Sequence, residues 1–313
     1  MPESSKLKNR IKERMLLGTI YDKAMEKFRY NDEKTSFLYS VMAGQKHRMI
    51  FYRRYKKRYL ERCTAVRPWE DREKHSNSDV IWSMWLQGID QAPEIVKKCY
   101  ESQKKCLPDK KFVVLDEQNV YDYIDLPDFI KRKRQEGKIG DAHFSDLVRN
   151  ELLIKYGGYW LDSTVFMTDG SLFEDIDKTQ LFMISYYYFG FNPEIMELNN
   201  WFIHSTTNNN MLCLLQELLF AYWKDHDYAE NYFLYHIMES IVNDFYQEDF
   251  KAMPIVSQAQ AHVLATYIYD DYDANKWEML KKTTGIHKLS TRFDKELLEK
   301  KGNFYNVVIK ENI

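Results

Sequence analysis

The chain has 313 residues and a mass of 37.8 kDa, long enough for a large buried core and too long for a small disulfide-stapled module. Hydrophobic residues make up 44% and charged residues 29%, which excludes an intrinsically disordered chain. Its four cysteines form no CxxC pair and no zinc-binding spacing, so a cytoplasmic protein is expected. The sequence predicts neither a membrane-spanning helix nor a secretion signal.

The formal net charge of −2 hides an uneven distribution of charge along the chain. Residues 1–75 contain 20 Lys and Arg against 10 Asp and Glu, whereas the remaining residues are acidic overall. We therefore predict a basic helical N-terminal region over 1–75 and a second domain over 76–313. A basic end on an acidic body favours an anionic partner for that end.

Residues 4–65 are predicted to be helical, and the densest cations lie within 46–62. Phe51, Tyr55 and Tyr59 stand four residues apart and would form one aromatic stripe along a helix. A stripe flanked by cations suits the headgroup region of an anionic membrane, which predicts a protein peripheral on the inner face of the cell membrane. The alternative is packing of the stripe against the body; no nucleic-acid partner is expected.

After a polar, turn-like stretch at 67–78, short apolar runs alternate with amphipathic segments. The predicted strands are 80–86, 111–115, 159–161 and 181–189, and the predicted helices are 92–103, 119–136, 143–156, 210–223 and 228–245. This alternation is typical of an α/β fold with a mostly parallel sheet and helices on both faces. Ligands of such sheets bind beyond the carboxyl ends of the strands, where Trp85, Gly88, Asp116 and Asp162 are expected.

The most informative segment is 145–164. Asp146 and Arg149 lie three residues apart and share one face of a predicted helix. Arg149 can make a forked contact to a phosphate, and Asp146 can accept hydrogen bonds from sugar hydroxyls. Considered without the residues that follow, Asp146 and Arg149 could also form an ordinary ion pair on a helix surface.

Gly157 and Gly158 follow that helix and are expected both to end it and to let a ligand approach the backbone. The next strand brings Asp162 to the edge of the sheet. A carboxylate at this place can hold a divalent cation that bridges a diphosphate, or accept from a ribose hydroxyl. In this order the features together favour a ligand-binding site over an ion pair, a helix stop and a turn.

Five segments carry a resemblance to a known family: Ile81-Trp-Ser-Met-Trp-Leu-Gln-Gly88, Asp146-Leu-Val-Arg149, Tyr156-Gly-Gly-Tyr-Trp-Leu-Asp-Ser-Thr164 and, more weakly, Tyr232-Phe-Leu-Tyr-His236 and Ile286-His-Lys-Leu289. They resemble the sugar-binding region that contains the DXD motif. Over roughly residues 79–290 the chain is similar to the capsular polysaccharide synthesis protein family, which is related to glycosyltransferases of the bacterial toxin and yeast mannosyltransferase type.

The resemblance implies a GT-A fold and a hexosyltransferase of capsule or exopolysaccharide synthesis. The implied donor is a nucleotide-diphosphate sugar, UDP-linked by preference, the acceptor a glycan or lipid-linked sugar, and the anomeric configuration is retained. Asp146, Arg149 and Asp162 would be the catalytic residues, with Trp85 stacking on the donor base. The full set of implied donor-binding residues is Trp85, Gly88, Asp146, Arg149, Gly157, Gly158, Asp162, His287 and Lys288.

Asp162 would be the first acid of the DXD motif, whereas Thr164 stands where the second acid is expected. A divalent cation, Mn²⁺ or Mg²⁺, is implied with Asp162 and His287 as ligands, and Thr164 weakens that metal site. Tyr187 and His236 are predicted to contact the acceptor. The competing interpretation is a non-catalytic nucleotide-sugar-binding protein or a membrane-docked scaffold with a degenerate site.

Overall fold

A computed structural model of the chain describes residues 11, 15–29, 32–76, 79–186 and 195–311. Its helices are α1 (Leu16–Phe28), α2 (Glu33–Thr64), α3 (Glu94–Cys106), α4 (Val120–Tyr123), α5 (Asp128–Gln135), α6 (Asp141–Tyr156), α7 (Leu172–Ile176), α8 (Asn210–Asp225), α9 (Leu234–Phe245), α10 (Gln247–Ala252), α11 (Gln258–Ala261), α12 (Val263–Thr266), α13 (Ala274–Thr283) and α14 (Lys295–Leu298). Its strands are β1 (Val80–Met84), β2 (Lys111–Leu115), β3 (Gly158–Leu161), β4 (Val165–Met167), β5 (Leu181–Ser185), β6 (Leu198–Ser205) and β7 (Ile286–Lys288).

The central sheet has five strands in the order β2-β1-β3-β6-β5. Strand β1 pairs in parallel with β2 and β3, and β6 pairs antiparallel with β3 and β5, so four of the five strands point the same way. The predicted α/β fold with a mostly parallel sheet is confirmed. Strands β4 and β7 form a separate antiparallel pair beyond the end of β3.

Both faces of the sheet are covered, which explains why most positions in its strands are apolar. Because side chains alternate along a strand, Trp82 and Trp160 enter one hydrophobic core while Ile81 and Tyr159 enter another. Helices α2, α6, α8 and α9 supply the first core. The carboxyl ends of β1 and β3 lie side by side between these layers.

Helix α2 does not present its aromatic stripe to solvent. Phe51, Tyr55 and Tyr59 are buried in the same core as α8 and α9. Tyr55 packs edge-on against Tyr222, with their ring centroids 5.4 Å apart, and its hydroxyl bonds to Glu230. The interpretation of this stripe as a membrane-facing surface is therefore wrong, and packing against the body, the alternative, is what the structure has. In the described part of the chain, no helix combines the length and apolarity needed to cross a bilayer.

Candidate active site

A cavity of about 800 Å³ opens beyond the carboxyl ends of β1 and β3, a size usual for small-molecule sites. Five residues that the sequence singled out line it: Trp85, Asp146, Arg149, Asp162 and His236. Trp85 directly follows β1, Asp162 directly follows β3, and the other three come from α6 and α9. The fold thus brings together side chains that are up to 151 positions apart in the chain.

The guanidinium of Arg149 is fixed in place by its surroundings. Its Nη1 donates to the carbonyl of Asn200 at 2.5 Å, and its Nη2 donates to Ser145 Oγ at 3.1 Å. The guanidinium also lies over the ring of Trp160, 4.8 Å from the centroid. Only 6% of Arg149 is exposed, so its charge is oriented before any ligand binds.

Two carboxylates flank this cation. Arg149 Nη2 lies 3.6 Å from Asp146 Oδ1 and 3.6 Å from Asp162 Oδ1. The side-chain amide of Asn200, on β6, donates to Asp146 Oδ1 at 2.8 Å. The cavity therefore holds a fixed cation between two acids, and an indole forms part of its wall. Such a site can bind a phosphate and orient sugar hydroxyls.

The carboxylate of Asp162 accepts two further hydrogen bonds. Trp160 Nε1 donates to its Oδ1 at 2.9 Å, and Lys288 Nζ donates to its Oδ2 at 2.9 Å. Burial raises the pKa of Asp162, but Lys288 and Arg149 together outweigh burial and hold that pKa below its usual range. Asp162 is therefore ionised at neutral pH.

The family model of the capsular polysaccharide synthesis protein matches residues 32–308. The chain belongs to this family. The match takes in α2 and every element that lines the cavity, and it confirms the family expected from the sequence motifs. No curated protein matches the chain. Among solved structures, the chain is similar to the PaToxG Glycosyltransferase, with 13% identity, coverage of 67% of this chain and 82% of that chain, and a TM-score of 0.39. A similarity this distant assigns no function.

His287 does not line the cavity. Its neighbour on β7, Lys288, is also outside the cavity lining but donates a hydrogen bond to Asp162, which lines the cavity, so His287 points to the opposite side of the strand. Its ring lies between Phe166 and Trp277, and its Nε2 is 3.2 Å from Thr168 Oγ1. Burial lowers the pKa of His287 to about 4. His287 is placed as a core residue, away from Asp162.

The residues around Asp162 do not fit the divalent cation that the motif implies. Both oxygens of Asp162 already accept hydrogen bonds, and Lys288 Nζ also donates to Thr164 Oγ1 at 2.7 Å. Within the described ranges, no group of three or more His, Cys, Asp and Glu side chains is placed to hold a metal ion. A cation shared by Asp162 and His287 is not supported by this arrangement.

The three glycines expected to contact the donor lie outside the cavity lining. Gly157 ends α6 with a φ of 66°, and Gly158 begins β3 with a φ of 86°. They stand at the end of β3 opposite to Asp162, with Gly158 about 13 Å from Asp162 at the rise of a strand. Gly88, with a φ of 83°, turns the chain after β1. Each of these glycines has a positive φ, a backbone conformation that glycine adopts more readily than other residues.

Of the two predicted acceptor residues, Tyr187 lies outside the described residues and His236 lines the cavity. His236 Nε2 is 3.2 Å from Asn199 Oδ1. Burial lowers the pKa of His236 to about 4, so its ring is neutral at pH 7. A neutral imidazole can exchange hydrogen bonds with a sugar hydroxyl without adding charge to the site.

Sequence reasoning missed Asn200, which contacts both Asp146 and Arg149. The one available signal was the adjacent pair Asn199-Asn200 directly before the apolar run that begins at Trp201. Two amides at that position are unusual inside a buried strand, because asparagine disfavours strands unless its side chain has partners.

Proposed function

We propose that the chain is a glycosyltransferase that moves a sugar from a nucleotide-diphosphate donor to a glycan or lipid-linked acceptor in capsule or exopolysaccharide synthesis. The observation that carries this proposal is the fixed guanidinium of Arg149 between the carboxylates of Asp146 and Asp162, in a cavity with Trp85 on its wall. Membership of the capsular polysaccharide synthesis family supports the same conclusion.

Each side chain has a task in this reaction. Trp85 stacks on the nucleotide base, and Arg149 contacts the diphosphate. Asp146 accepts hydrogen bonds from the donor sugar, and Asp162 orients both cations that surround it. As the bond between the anomeric carbon and the diphosphate oxygen breaks, its electron pair stays with the diphosphate. Arg149 and Lys288 stabilise the negative charge that develops there.

We propose UDP-sugar as the donor and retention of configuration as the outcome, both on the family resemblance. In a same-face transfer, the acceptor oxygen forms the new bond to the anomeric carbon and passes its proton to the departing phosphate oxygen. The proton NMR spectrum of the first-formed product distinguishes the two anomers. Formation of the opposite anomer would contradict retention and leave the transferase proposal intact.

The proposal is tested by incubating the protein with UDP- and GDP-sugars and measuring release of the nucleoside diphosphate. We expect slow hydrolysis that Asp162→Asn abolishes while the thermal unfolding midpoint stays close to that of the parent. The matched control is Asp175→Asn, an exposed carboxylate on α7 that pairs with Lys178 at the surface. If the donors bind and are never turned over, the non-catalytic interpretation is correct.

A second proposal concerns α1, for which we propose contact with an anionic lipid surface. Its two acids face α2: Asp22 pairs with Lys46 at 2.8 Å, and Glu26 accepts from Ser36 Oγ at 3.1 Å. The outer side of α1 is left apolar and cationic. Its exposed residues there include Leu17, Ile20, Tyr21, Lys23, Lys27 and Phe28.

An apolar stripe with lysines beside it is typical of helices that lie in the headgroup region of an anionic bilayer. The test is flotation with vesicles of phosphatidylcholine alone or with phosphatidylglycerol added. We expect binding to the anionic vesicles only, and its loss in Leu17→Glu/Phe28→Glu. Equal binding to both vesicles, or retention by the double variant, would contradict this contact.

A further inference from the structure

Lys288 bridges the two motif positions at which a DXD site would hold its cation. Its Nζ donates to Asp162 Oδ2 at 2.9 Å and to Thr164 Oγ1 at 2.7 Å. The ammonium of Lys288 thus supplies the positive charge between positions 162 and 164.

The backbone fixes Lys288 at this place. Strands β4 and β7 pair with Val165 opposite Lys288, and Leu289 N donates to the carbonyl of Thr164 at 2.9 Å. The register of this small sheet therefore holds Lys288 next to the Asp162–Thr164 turn. A shift of one residue would turn Lys288 to the other side of the strand and bring His287 to the motif.

Thr164 is what makes this arrangement favourable. A carboxylate at position 164 would give two acids facing one ammonium, a set that favours a divalent cation with oxygen ligands. A hydroxyl brings no charge, so the single carboxylate of Asp162 is balanced by the single ammonium. For a divalent ion to bind both positions, Lys288 would have to leave its two hydrogen bonds.

We propose that Lys288 takes the place of the divalent cation, so that the site binds a nucleoside diphosphate independently of metal. This inference rests on the proposed function and names how its site neutralises the donor. An ammonium has three N–H donors, and the bonds to Asp162 and Thr164 use two of them. The third is left for a phosphate oxygen of a donor held beside Asp162, while Arg149, on the other oxygen of Asp162, supplies the second fixed cation.

The experiment measures binding of UDP and GDP to the whole protein by titration calorimetry, once in EDTA and once with Mn²⁺. We expect dissociation constants that agree within about twofold between the two conditions. Lys288→Met should weaken binding at least about tenfold in both, because a charge-assisted hydrogen bond is lost. The matched control, Lys281→Met on α13, removes an ammonium that pairs with Glu278 and lies over the ring of Trp277, outside the cavity lining, and should leave binding unchanged.

A double variant, Thr164→Asp/Lys288→Met, restores two acids and removes the ammonium. We expect it to bind Mn²⁺, measured by electron paramagnetic resonance without nucleotide, and to bind UDP only when Mn²⁺ is present. Loss of wild-type UDP binding in EDTA, or unchanged binding by Lys288→Met, would overturn the inference and leave the proposed function standing. If neither UDP nor GDP binds under any condition, the proposed function fails and the inference with it.

Discussion

The side-chain amide of Asn200 donates a hydrogen bond to Asp146 Oδ1, while the backbone carbonyl of the same residue accepts from Arg149 Nη1. One position on β6 therefore holds both members of the acid–guanidinium pair on α6. The two contacts are separable, because one belongs to the side chain and the other to the backbone. A substitution at position 200 can release the acid and keep the guanidinium in place.

Asn200→Ala should lower sugar transfer about tenfold, in keeping with the loss of one hydrogen bond to a charged group, about 1.5 kcal/mol. Asn200 acts through Asp146 and is a positioning residue. Because the backbone contact to Arg149 remains, the dissociation constant for UDP should hardly change. Steady-state kinetics combined with calorimetry checks this division. A UDP affinity that falls as much as turnover would show that the residue acts on the donor phosphates instead.

Trp85→Ala should weaken UDP binding by about 1–3 kcal/mol, the range for stacking of a base on an aromatic ring. Trp85→Phe keeps an aromatic face and should lose much less. Binding of inorganic pyrophosphate, which has no base, should be the same in both variants and the parent. An equal loss for pyrophosphate would mean that Trp85 shapes the cavity and does not stack on the base.

Protonation of three buried histidines should destabilise the fold between pH 6.5 and about 4. Burial lowers the pKa of His204, His236 and His287 to about 4, below the usual 6.5 of the unfolded chain. In this window these three histidines bind more protons in the unfolded state, so the stability that they contribute is fully present above pH 6.5 and is lost as pH falls. At pH 5 each histidine accounts for about 2 kcal/mol of that loss.

His287→Phe should therefore reduce the difference in unfolding free energy between pH 7 and pH 5 by about 2 kcal/mol. Phenylalanine suits the position between Phe166 and Trp277 and cannot take up a proton. The control, His75→Phe, replaces an exposed histidine and should leave the pH dependence unchanged. Urea unfolding at pH 7 and at pH 5 measures this pH dependence. An unaltered pH dependence in His287→Phe would show that this ring is not held neutral.

Phe51→Ala should reduce the free energy of unfolding by about 3–5 kcal/mol, as is usual when a buried phenylalanine is truncated. The same substitution at Phe37 gives the matched control, because Phe37 lies on the same helix with 59% of its surface exposed. We expect a change of less than about 0.5 kcal/mol there. Similar effects of the two substitutions would contradict the burial of the stripe.

The parts of the fold that sequence could predict are those in which local pattern and tertiary environment agree. Apolar runs at β1, β2, β3 and β5 were recognised because both faces of the sheet are covered and most positions in these strands are apolar. Strand β6 was missed because Asn199 and Asn200 interrupt its apolar pattern. These amides are tolerated there since each has side-chain partners, namely Gln258 and Asp146.

The residues of the site also fall into a part that the sequence could predict and a part that it could not. Trp85 and Asp162 stand at the ends of predicted strands, and Asp146 and Arg149 lie on a predicted helix, so their convergence at one sheet edge was expected from an α/β fold. His287 and Lys288 lie on β7, a three-residue strand whose register cannot be predicted from so short a pattern. Register decides which of two adjacent side chains faces the motif. The sequence therefore left both His287 and Lys288 as candidates, and the structure places Lys288 at the motif.

The burial of the α2 stripe has a consequence for biosynthesis. Tyr55 meets Glu230 across a separation of 175 residues. At about 5–20 residues per second, a ribosome needs roughly 9–35 s to make the intervening chain. During that interval the rings of Phe51, Tyr55 and Tyr59 are exposed to solvent outside the ribosomal exit tunnel, next to a cluster of cations. We expect nascent α2 to be a preferred client of co-translational chaperones until α8 and α9 emerge to cover it.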